Sequence, residues 1–248
     1  PLRRQRQMCI RDRICGEIDF YQKNIRFETI ARMSSVLTHR GPDDEGMVFI
    51  RDNKSLQIKD FFELHSDGND FEVGLGHRRL SIIDLSEAAH QPMCNENGTV
   101  WIVFNGEIYN FQELRRRLAE KGHRFKSRSD TEVILHAYEE WDVNCLSTFR
   151  GMFAFGIWDS RRKRLFLARD RLGKKPLVYY FKNGRFIFAS EIKAILQDPE
   201  VEREVNIIAL HHYLTYQYVP SPETIFEGIQ KLPPAHYLLY DRDGTLKI

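Results

Sequence analysis

The sequence predicts an α+β domain built from two antiparallel sheets, and three observations lead to this prediction. Residues 153–189 contain two successive β-hairpin patterns, each with a polar turn between apolar runs. Helical periodicity is limited to a few segments, two of them adjacent near the middle of the chain. Strands and helices do not alternate one by one, which argues against parallel βαβ units.

The predicted strands alternate apolar and polar residues or form short apolar runs between turn residues. In chain order they cover residues 14–20, 47–50, 56–58, 73–84, 100–104, 153–159, 164–169, 177–181, 186–189 and 236–240. The predicted helices carry apolar residues at intervals of three or four. They cover residues 27–37, 111–121, 131–141, 191–196 and 207–216. Loops are predicted at 39–46, 59–72 and 86–94.

Length and composition are those of a globular protein that can bury a large core. The 248 residues are 42% hydrophobic and 29% charged. The formal net charge of +2 is too small to indicate a nucleic-acid partner. No stretch approaches the ~18 apolar residues of a membrane span, and no apolar run of a secretory signal follows the first arginines. We therefore predict a cytoplasmic protein without nucleic-acid or membrane partners.

Four cysteines, Cys9, Cys15, Cys94 and Cys145, are sparse for this length and have no CxxC spacing. This pattern predicts reduced thiols rather than disulfides or a zinc site. We expect no metal ligands and no cofactor in this domain, since Walker and Rossmann phosphate loops are also missing from the sequence.

Residues 1–13 differ in composition from the rest of the chain. They carry five Arg and one Asp, whereas the remaining 235 residues have a net charge of −2. Because this segment has neither helical nor strand periodicity, three interpretations stay open: a disordered basic arm, a leader of mitochondrial type, or sequence extraneous to the domain. We place the start of the folded domain at Ile14.

Residues 103–110 join a predicted buried strand to a predicted helix. Within them, Asn105 and Gly106 place a side-chain amide beside a backbone N–H, and two such donors can stabilise an oxyanion. Asn-Gly is also typical of a type I′ hairpin turn. The helical pattern that follows weighs against the hairpin, but both interpretations remain open at this point.

Two charged residues also have both a structural and a functional interpretation. Arg79 lies between apolar neighbours in the predicted strand 73–84. It is either a solvated edge-strand residue or a guanidinium that binds a carboxylate through two hydrogen bonds. Asp130 either caps the helix at 131–141 or binds an ammonium group.

Six segments in a fixed order resemble the class II glutamine amidotransferases, the N-terminal-nucleophile glutaminase domains. They are HRGPDDEG (39–46), HRRLSIID (77–84), VFNGEIYN (103–110), SDTEVILHAY (129–138), GMFAFGIWD (151–159) and ARDRLGKKPLVYY (168–180). The segment YLTYQYVPSPETIFEGIQKLPPAHYLL (213–239) narrows the resemblance to glutamine-hydrolysing asparagine synthetases. The resemblance covers roughly 14–248 and implies a four-layer αββα sandwich of Ntn-hydrolase type.

The resemblance implies a role for each candidate site residue. Arg79 would bind the α-carboxylate of glutamine. Asp130, with backbone groups near Gly106, would bind its α-ammonium group. Asn105 and Gly106 would form the oxyanion hole, and Glu107 would lie nearby in the substrate pocket.

The resemblance also implies a domain organisation and partners. Residues 14–200 would be the glutaminase domain, and 201–248 its end and the lead-in to a synthetase domain that this sequence lacks. That synthetase domain of the same protein would use ATP and Mg²⁺ to amidate a carboxylate, aspartate by default, with ammonia from glutamine. A homodimer is a further expectation.

The family mechanism needs a cysteine at the very N-terminus, whose thiolate attacks glutamine while its α-amine acts as the base. In the family pattern Met-Cys-Gly-Ile-X-Gly, Cys15 falls on X, so Asp12 occupies the nucleophile position. Cys15 as a substitute lies three residues too late, which is ~10 Å along a strand and on the opposite face. Cys9 lies three residues too early.

Two explanations follow for the missing thiol. Either the chain is a homologue without glutaminase activity, or residues 1–13 stand in place of an authentic Met-Cys-Gly. The functional hypotheses are therefore a glutaminase domain that is inactive as written, and a non-catalytic module that binds glutamine or serves as a scaffold.

Overall fold

A computed structural model describes residues 12–22, 24–52, 54–58, 71–79 and 90–248. Its strands are β1 Arg13–Asp19, β2 Asp44–Arg51, β3 Lys54–Ile58, β4 Val73–Arg79, β5 Met93–Cys94, β6 Val100–Ile108, β7 Gly151–Asp159, β8 Arg164–Arg169, β9 Val178–Lys182, β10 Arg185–Ala189, β11 Ile229–Lys231, β12 Tyr237–Asp241 and β13 Leu246–Lys247. Its α-helices are α1 Phe27–Ser35, α2 Phe111–Glu120, α3 Asp130–Trp141, α4 Ile192–Ile195 and α5 Ile207–Tyr216. A 3₁₀ helix covers Asp142–Thr148. Within these ranges, no helix is both long and apolar enough to cross a membrane.

The strands form two antiparallel sheets. The first has seven strands in the order β11-β9-β10-β1-β4-β2-β3, and the second has six in the order β13-β12-β8-β7-β6-β5. The hairpins that the turn residues predicted, β7-β8 and β9-β10, are present. The first hairpin lies in the second sheet and the second hairpin in the first sheet, so residues 170–177 carry the chain from one sheet to the other.

The two sheets pack face to face, and helices cover their outer faces. Apolar side chains from both sheets, among them Leu75 and Trp158, fill the space between them. α1 and α4 pack on the outside of the first sheet, and α2 and α3 on the outside of the second. This arrangement confirms the predicted four-layer αββα sandwich.

The alternation of side chains along β1 decides which residues face the other sheet. Ile14 and Ile18 belong to the core between the sheets, whereas Cys15 belongs to the core under α1 and α4. Because strand residues alternate strictly between faces, position 12 shares the inter-sheet face with Ile14. β1 therefore separates the two sequence positions that compete for the role of nucleophile.

The structure extends several strands beyond the predicted bounds because cross-strand partners continue the ladders, and three of these strands, β1, β2 and β6, lie at the candidate site. β1 includes Arg13, which pairs with Arg78 and whose Nε donates to Glu191 Oε1 at 2.7 Å. β2 begins at Asp44, inside the predicted loop, because Asp44 pairs with Arg79. β6 continues to Ile108 and does not end before Asn105.

Other differences concern short strands. β5, β11 and β13 are two or three residues long and carry too little alternation to be recognised in the sequence. β11 extends the first sheet and β13 the second, so residues 229–247 complete the sandwich. Most of the predicted loop 59–72 and the second half of the predicted strand 73–84 lie outside the described residues.

Candidate functional site

Asn105 and Gly106 lie within the continuous strand β6 and not in a turn. Asn105 is paired with Ala154 of β7, and Gly106 with Phe153. The hairpin-turn interpretation of Asn-Gly is therefore wrong. The sequence needs glycine here for a different reason, since a Cβ at Gly106 would lie 2.3 Å from the Met152 carbonyl oxygen and 2.8 Å from the Phe153 Cα.

The edge of β6 that faces away from β7 carries a row of backbone donors. The Phe104 N–H donates to Gln91 Oε1 at 2.7 Å, and the Ile108 N–H donates to Asp130 Oδ2 at 3.0 Å. Because backbone N–H groups alternate between the two edges of a strand, the Gly106 N–H points to the same edge. Two side chains therefore fix the ends of the row, and Gly106 lies at its centre.

The Asn105 side chain is completely buried on the inter-sheet face, with 0% of its surface exposed. Among the described residues, neither its Oδ1 nor its Nδ2 has a hydrogen-bond partner. A buried polar group left in this state costs about 1–3 kcal/mol. The fold thus keeps a polar amide next to the Gly106 N–H at a cost in stability, in a position to hydrogen-bond a bound group.

Asp130 links α3 to this edge of β6. The Ser129 Oγ accepts a hydrogen bond from the Thr131 N–H and caps α3, so the interpretation of Asp130 as the cap is wrong. Asp130 begins the helix instead and directs its carboxylate at the Ile108 N–H. A carboxylate in the first helical turn also interacts favourably with the helix dipole.

Three carboxylates meet at this point, those of Asp12, Glu107 and Asp130. Burial raises the pKa of Asp130 to about 6. The hydrogen bond from Ile108 opposes this rise in pKa, while the charges of Glu107 and Asp12 add to it. A cation bound among these groups would relieve both the burial cost and the repulsion, so the electrostatics favour an ammonium group here.

His77 lies between position 12 and β6, the strand that contains Asn105. The His77 Nε2 is 3.1 Å from the Phe104 carbonyl oxygen and 3.6 Å from Asp12 Oδ2. His77 is 1% exposed and points into the inter-sheet space from β4. The predicted nucleophile position, the predicted oxyanion donors and Asp130 are thus brought together at one end of the sandwich.

Arg79 lies in the interior of the first sheet, because β4 runs between β1 and β2. Only 9% of Arg79 is exposed, and the interpretation as a solvated edge-strand residue is wrong. The β1–β4 register pairs Arg13 with Arg78, and its extension by one pair puts Arg79 opposite Asp12. The guanidinium therefore belongs to the same end of the inter-sheet face as position 12.

Asp44 and His90 stand beside Arg79. Asp44 Oδ2 lies 2.9 Å from His90 Nδ1 and 3.9 Å from Arg79 Nη1. Burial acts to raise the pKa of Asp44, but the hydrogen bond from His90 and the nearby Arg79 charge outweigh it and the pKa falls below its usual value. Asp44 thus stays ionised and orients Arg79 without closing a short ion pair.

Cys15 is not placed to substitute for the missing nucleophile. It is 0% exposed, faces α1 and lies 2.8 Å from where a Cβ on Gly76 would be. Burial raises the pKa of its thiol to about 12, against the opposing charge of Arg78, so no thiolate forms near neutral pH. Cys9 lies outside the described residues.

Besides Asp44 and His90, two further residues of the site, His77 and Gln91, were not predicted from the sequence. Gln91 is 4% exposed, accepts from the Phe104 N–H and donates to Thr131 Oγ1 at 3.3 Å, which ties β6 to α3. His77 lies two residues before Arg79, and that spacing puts both side chains on one strand face. The spacing was a usable signal for His77, whereas Gln91 lies in a predicted loop without any pattern.

The fold and this site can be compared with known proteins. The family model described as glutamine amidotransferase domain matches residues 59–247. The chain belongs to this family. The class II glutamine amidotransferase domain predicted from the sequence motifs is therefore confirmed.

This glutamine amidotransferase domain is similar to parts of longer proteins. It is 39% identical to asparagine synthetase (glutamine-hydrolysing) 3 of Bacillus subtilis, an alignment that covers 93% of this chain and 35% of the relative. It is 38% identical to asparagine synthetase (glutamine-hydrolysing) 1 of the same organism, over 94% of this chain and 34% of the relative. The chain spans about a third of the length of these relatives.

Two solved structures share the fold. The glutamine phosphoribosylpyrophosphate amidotransferase from B. subtilis aligns with a TM-score of 0.67 at 20% identity, over 95% of this chain and 48% of that chain. An allosteric regulatory enzyme of purine biosynthesis aligns with a TM-score of 0.68 at 19% identity and the same coverage. At these identities the comparison concerns the fold, and it agrees with the αββα sandwich.

Proposed function

We propose that this domain binds glutamine and is built to hydrolyse its side-chain amide to glutamate and ammonia. The observation that carries the proposal is the buried Asn105 amide. Neither polar atom of this amide has a hydrogen-bond partner in the described chain, although the side chain is fully buried. The amide also lies beside Gly106, on the inter-sheet face that holds position 12. Such preorganised donors stabilise charge that develops in a transition state.

The two ends of glutamine fit the charged groups that surround this amide. The guanidinium of Arg79, buried on the inter-sheet face, binds the α-carboxylate. The carboxylates of Asp130 and Glu107 bind the α-ammonium group, since burial and, to a smaller extent, the charge of Glu107 raise the pKa of Asp130 and a bound cation would offset both effects. The side-chain amide of the substrate then reaches Asn105 and position 12.

A terminal cysteine at position 12 would complete the reaction. Its thiolate attacks the amide carbon, and the oxygen that gains the negative charge accepts hydrogen bonds from Asn105 Nδ2 and the Gly106 N–H. The intermediate collapses to a thioester when the nitrogen leaves as ammonia with a proton from the cysteine amine. Water then cleaves the thioester to glutamate and restores the thiol.

This chain carries Asp12 at that position, with its nitrogen inside a peptide bond. Asp12 supplies neither a thiolate nor a free amine, so the proposal predicts glutamine binding without turnover. Ammonia release from glutamine by the purified chain would contradict this. Isothermal titration should detect glutamine binding that weakens when Arg79→Lys removes the planar guanidinium.

The decisive experiment restores the thiol. A chain that starts at position 12 with Asp12→Cys and Arg13→Gly should release ammonia from glutamine. Adding Asn105→Ala should lower kcat about 10²–10³-fold, as expected for the loss of one oxyanion donor. Asn144→Ala, in the 3₁₀ helix and exposed, is the matched control and should leave kcat unchanged.

The second hypothesis, a non-catalytic glutamine-binding or scaffolding module, makes a different prediction. The restored chain would fold and bind glutamine but release no ammonia. Loss of glutamine binding in the restored and the original chain alike would contradict both hypotheses.

We also propose the ammonia-consuming part of a longer protein as the partner of this domain. α5 exposes a row of apolar side chains, with Ile207 70% and Leu214 74% accessible. Patches of this kind mark interaction surfaces. Since the similar asparagine synthetases are about three times as long, their remaining part fits as the occupant. ATP, Mg²⁺ and the acceptor carboxylate, aspartate by default, would belong to that part.

A further inference from the structure

A cluster of two imidazoles and a carboxylate lies on the helix layer, outside the glutamine site. His123 follows α2, and His136 and Glu139 lie one turn apart on α3. One ligand atom from each residue lies within 4.8 Å of the others. The sequence predicts no metal ligands because its cysteines have no CxxC spacing, whereas this cluster is made of histidine and glutamate.

Two of the distances within the cluster are close to those between neighbouring ligands around one metal ion. The Nδ1 atoms of His123 and His136 are 3.1 Å apart, and His136 Nδ1 is 3.1 Å from Glu139 Oε2. Ligands at the usual Zn–N and Zn–O distances in a tetrahedral site are separated by roughly 3.3 Å. Two of the three separations are close to this value, and the ligand atoms of all three residues lie within 4.8 Å of one another.

The far nitrogens of both rings face carboxylates. His123 Nε2 is 3.2 Å from Glu140 Oε2. His136 Nε2 is 3.7 Å from Glu96 Oε1 and 3.9 Å from Glu132 Oε1. At His123 the Glu140 carboxylate favours the tautomer with its proton on Nε2, which leaves the Nδ1 lone pair for an ion. At His136 the nearest carboxylate oxygen, Glu139 Oε2, lies beside Nδ1, so an ion that binds there would move the proton to Nε2, which Glu96 and Glu132 face.

The carboxylate of Glu139 is also held in place. Its other oxygen, Oε1, accepts a hydrogen bond from Asn95 Nδ2 at 2.7 Å. Carboxylates on the far nitrogen of ligating histidines, and hydrogen bonds to ligating carboxylates, are the outer contacts that orient metal ligands. His136 is 2% exposed, so its imidazole is held in place and shielded from water.

We propose that His123, His136 and Glu139 bind one divalent transition-metal ion of the zinc class. Two imidazoles and one carboxylate form a ligand set that suits Zn²⁺, with water as the fourth ligand. The ion would join the segment after α2 to α3, which also begins with Asp130 of the glutamine site. The proposal does not depend on the proposed glutaminase activity.

The test is equilibrium dialysis of the full 248-residue chain against Zn²⁺, with Cys9→Ser and Cys94→Ser to remove competing thiols. One zinc per chain is expected, and Co²⁺ should give the d–d absorption of a four-coordinate ion. His136→Gln should weaken zinc binding more than about 100-fold, and Glu140→Gln about 10-fold, the range for outer contacts. His123→Asn serves as the second ligand variant if His136→Gln does not fold.

The matched control is His212→Gln on α5. His212 Nδ1 lies 3.1 Å from Glu223 Oε2, so an imidazole and a carboxylate meet here too, but no third ligand joins them in the described chain. The substitution should therefore leave zinc binding unchanged. Absence of zinc binding, or equal zinc affinity in the parent chain and His123→Asn, would overturn the proposal. The cluster would then be a chain of hydrogen bonds between the two imidazoles and Glu139.

Discussion

We expect Asn105→Leu to make the folded domain more stable. Leucine has the same number of side-chain heavy atoms as asparagine, so it fits the space of a side chain that is 0% exposed. It removes two polar atoms that have no hydrogen-bond partner in the described part of the chain. At about 1 kcal/mol for each atom, the lower end of the usual range, unfolding should cost about 2 kcal/mol more.

Thermal and urea unfolding measure this gain. For a domain of this size, a gain of about 2 kcal/mol corresponds to a rise in Tm of about 4–8 °C. In the chain with the restored terminal cysteine, the same substitution should lower the rate of ammonia release about 10²–10³-fold, so stability and activity move in opposite directions.

Asn95→Leu is the matched control for this prediction. Asn95 is also buried, but its amide hydrogen-bonds Thr99 Oγ1, Glu139 Oε1 and the N–H groups of Thr99 and Val100. Leucine at position 95 should therefore destabilise the fold by several kcal/mol. If Asn105→Leu also lowered the free energy of unfolding, the Asn105 amide would have partners within the fold, and the argument for a waiting oxyanion donor would fail.

Two further predictions concern charge and surface. The pKa of Asp130 is about 6 in the folded chain against an ordinary 3.8, so the folded state binds its proton more tightly. Stability should fall by up to about 3 kcal/mol as pH rises from 4 to 6, and Asp130→Asn should remove that part of the pH dependence. The pKa of Glu17, which burial raises to about 7, lies in an overlapping range, so the pH dependence of the free energy of unfolding in Asp130→Asn is subtracted from that of the parent chain. An identical pH dependence in the two chains, measured by urea unfolding, would refute the prediction. Leu214→Glu on α5 should leave the free energy of unfolding within about 0.5 kcal/mol of the parent, whereas a larger loss would show that this face packs within the domain. A dimer in sedimentation experiments that Leu214→Glu dissociates would identify a second copy of the chain as the occupant instead.

Strands and helices were predictable where the spacing of apolar residues and the residues of the adjoining turns indicate the same element. The hairpins β7-β8 and β9-β10 have polar turns between apolar strands, and the structure contains both. The continuation of β6 through Asn105 was not predictable. Its partners Ala154 and Phe153 come almost fifty residues later, and the local Asn-Gly pattern favours a turn.

In the site, too, features that depend on local sequence were predictable and those that depend on distant partners were not. The odd offset between positions 12 and 15 correctly predicted that Cys15 faces away, because strand parity is a local property. The burial of Arg79 depends on β4 lying between β1 and β2, which a single strand pattern does not reveal. Gln91 contacts Phe104 through a side chain from a loop, and no sequence period marks such a contact.

The interior position of β1 has a consequence for how the site comes into being. Cys15 pairs with Gly76 on one side and with Ala189 on the other, so β1 needs both neighbours before it is fixed. Contacts between residues so distant in the chain form slowly, since a long loop must close first. During synthesis, β1 therefore leaves the ribosome before either of its neighbours and is paired on both edges only after β10 has followed. The strand that carries position 12 toward the site thus waits for partners that are made more than 50 residues later.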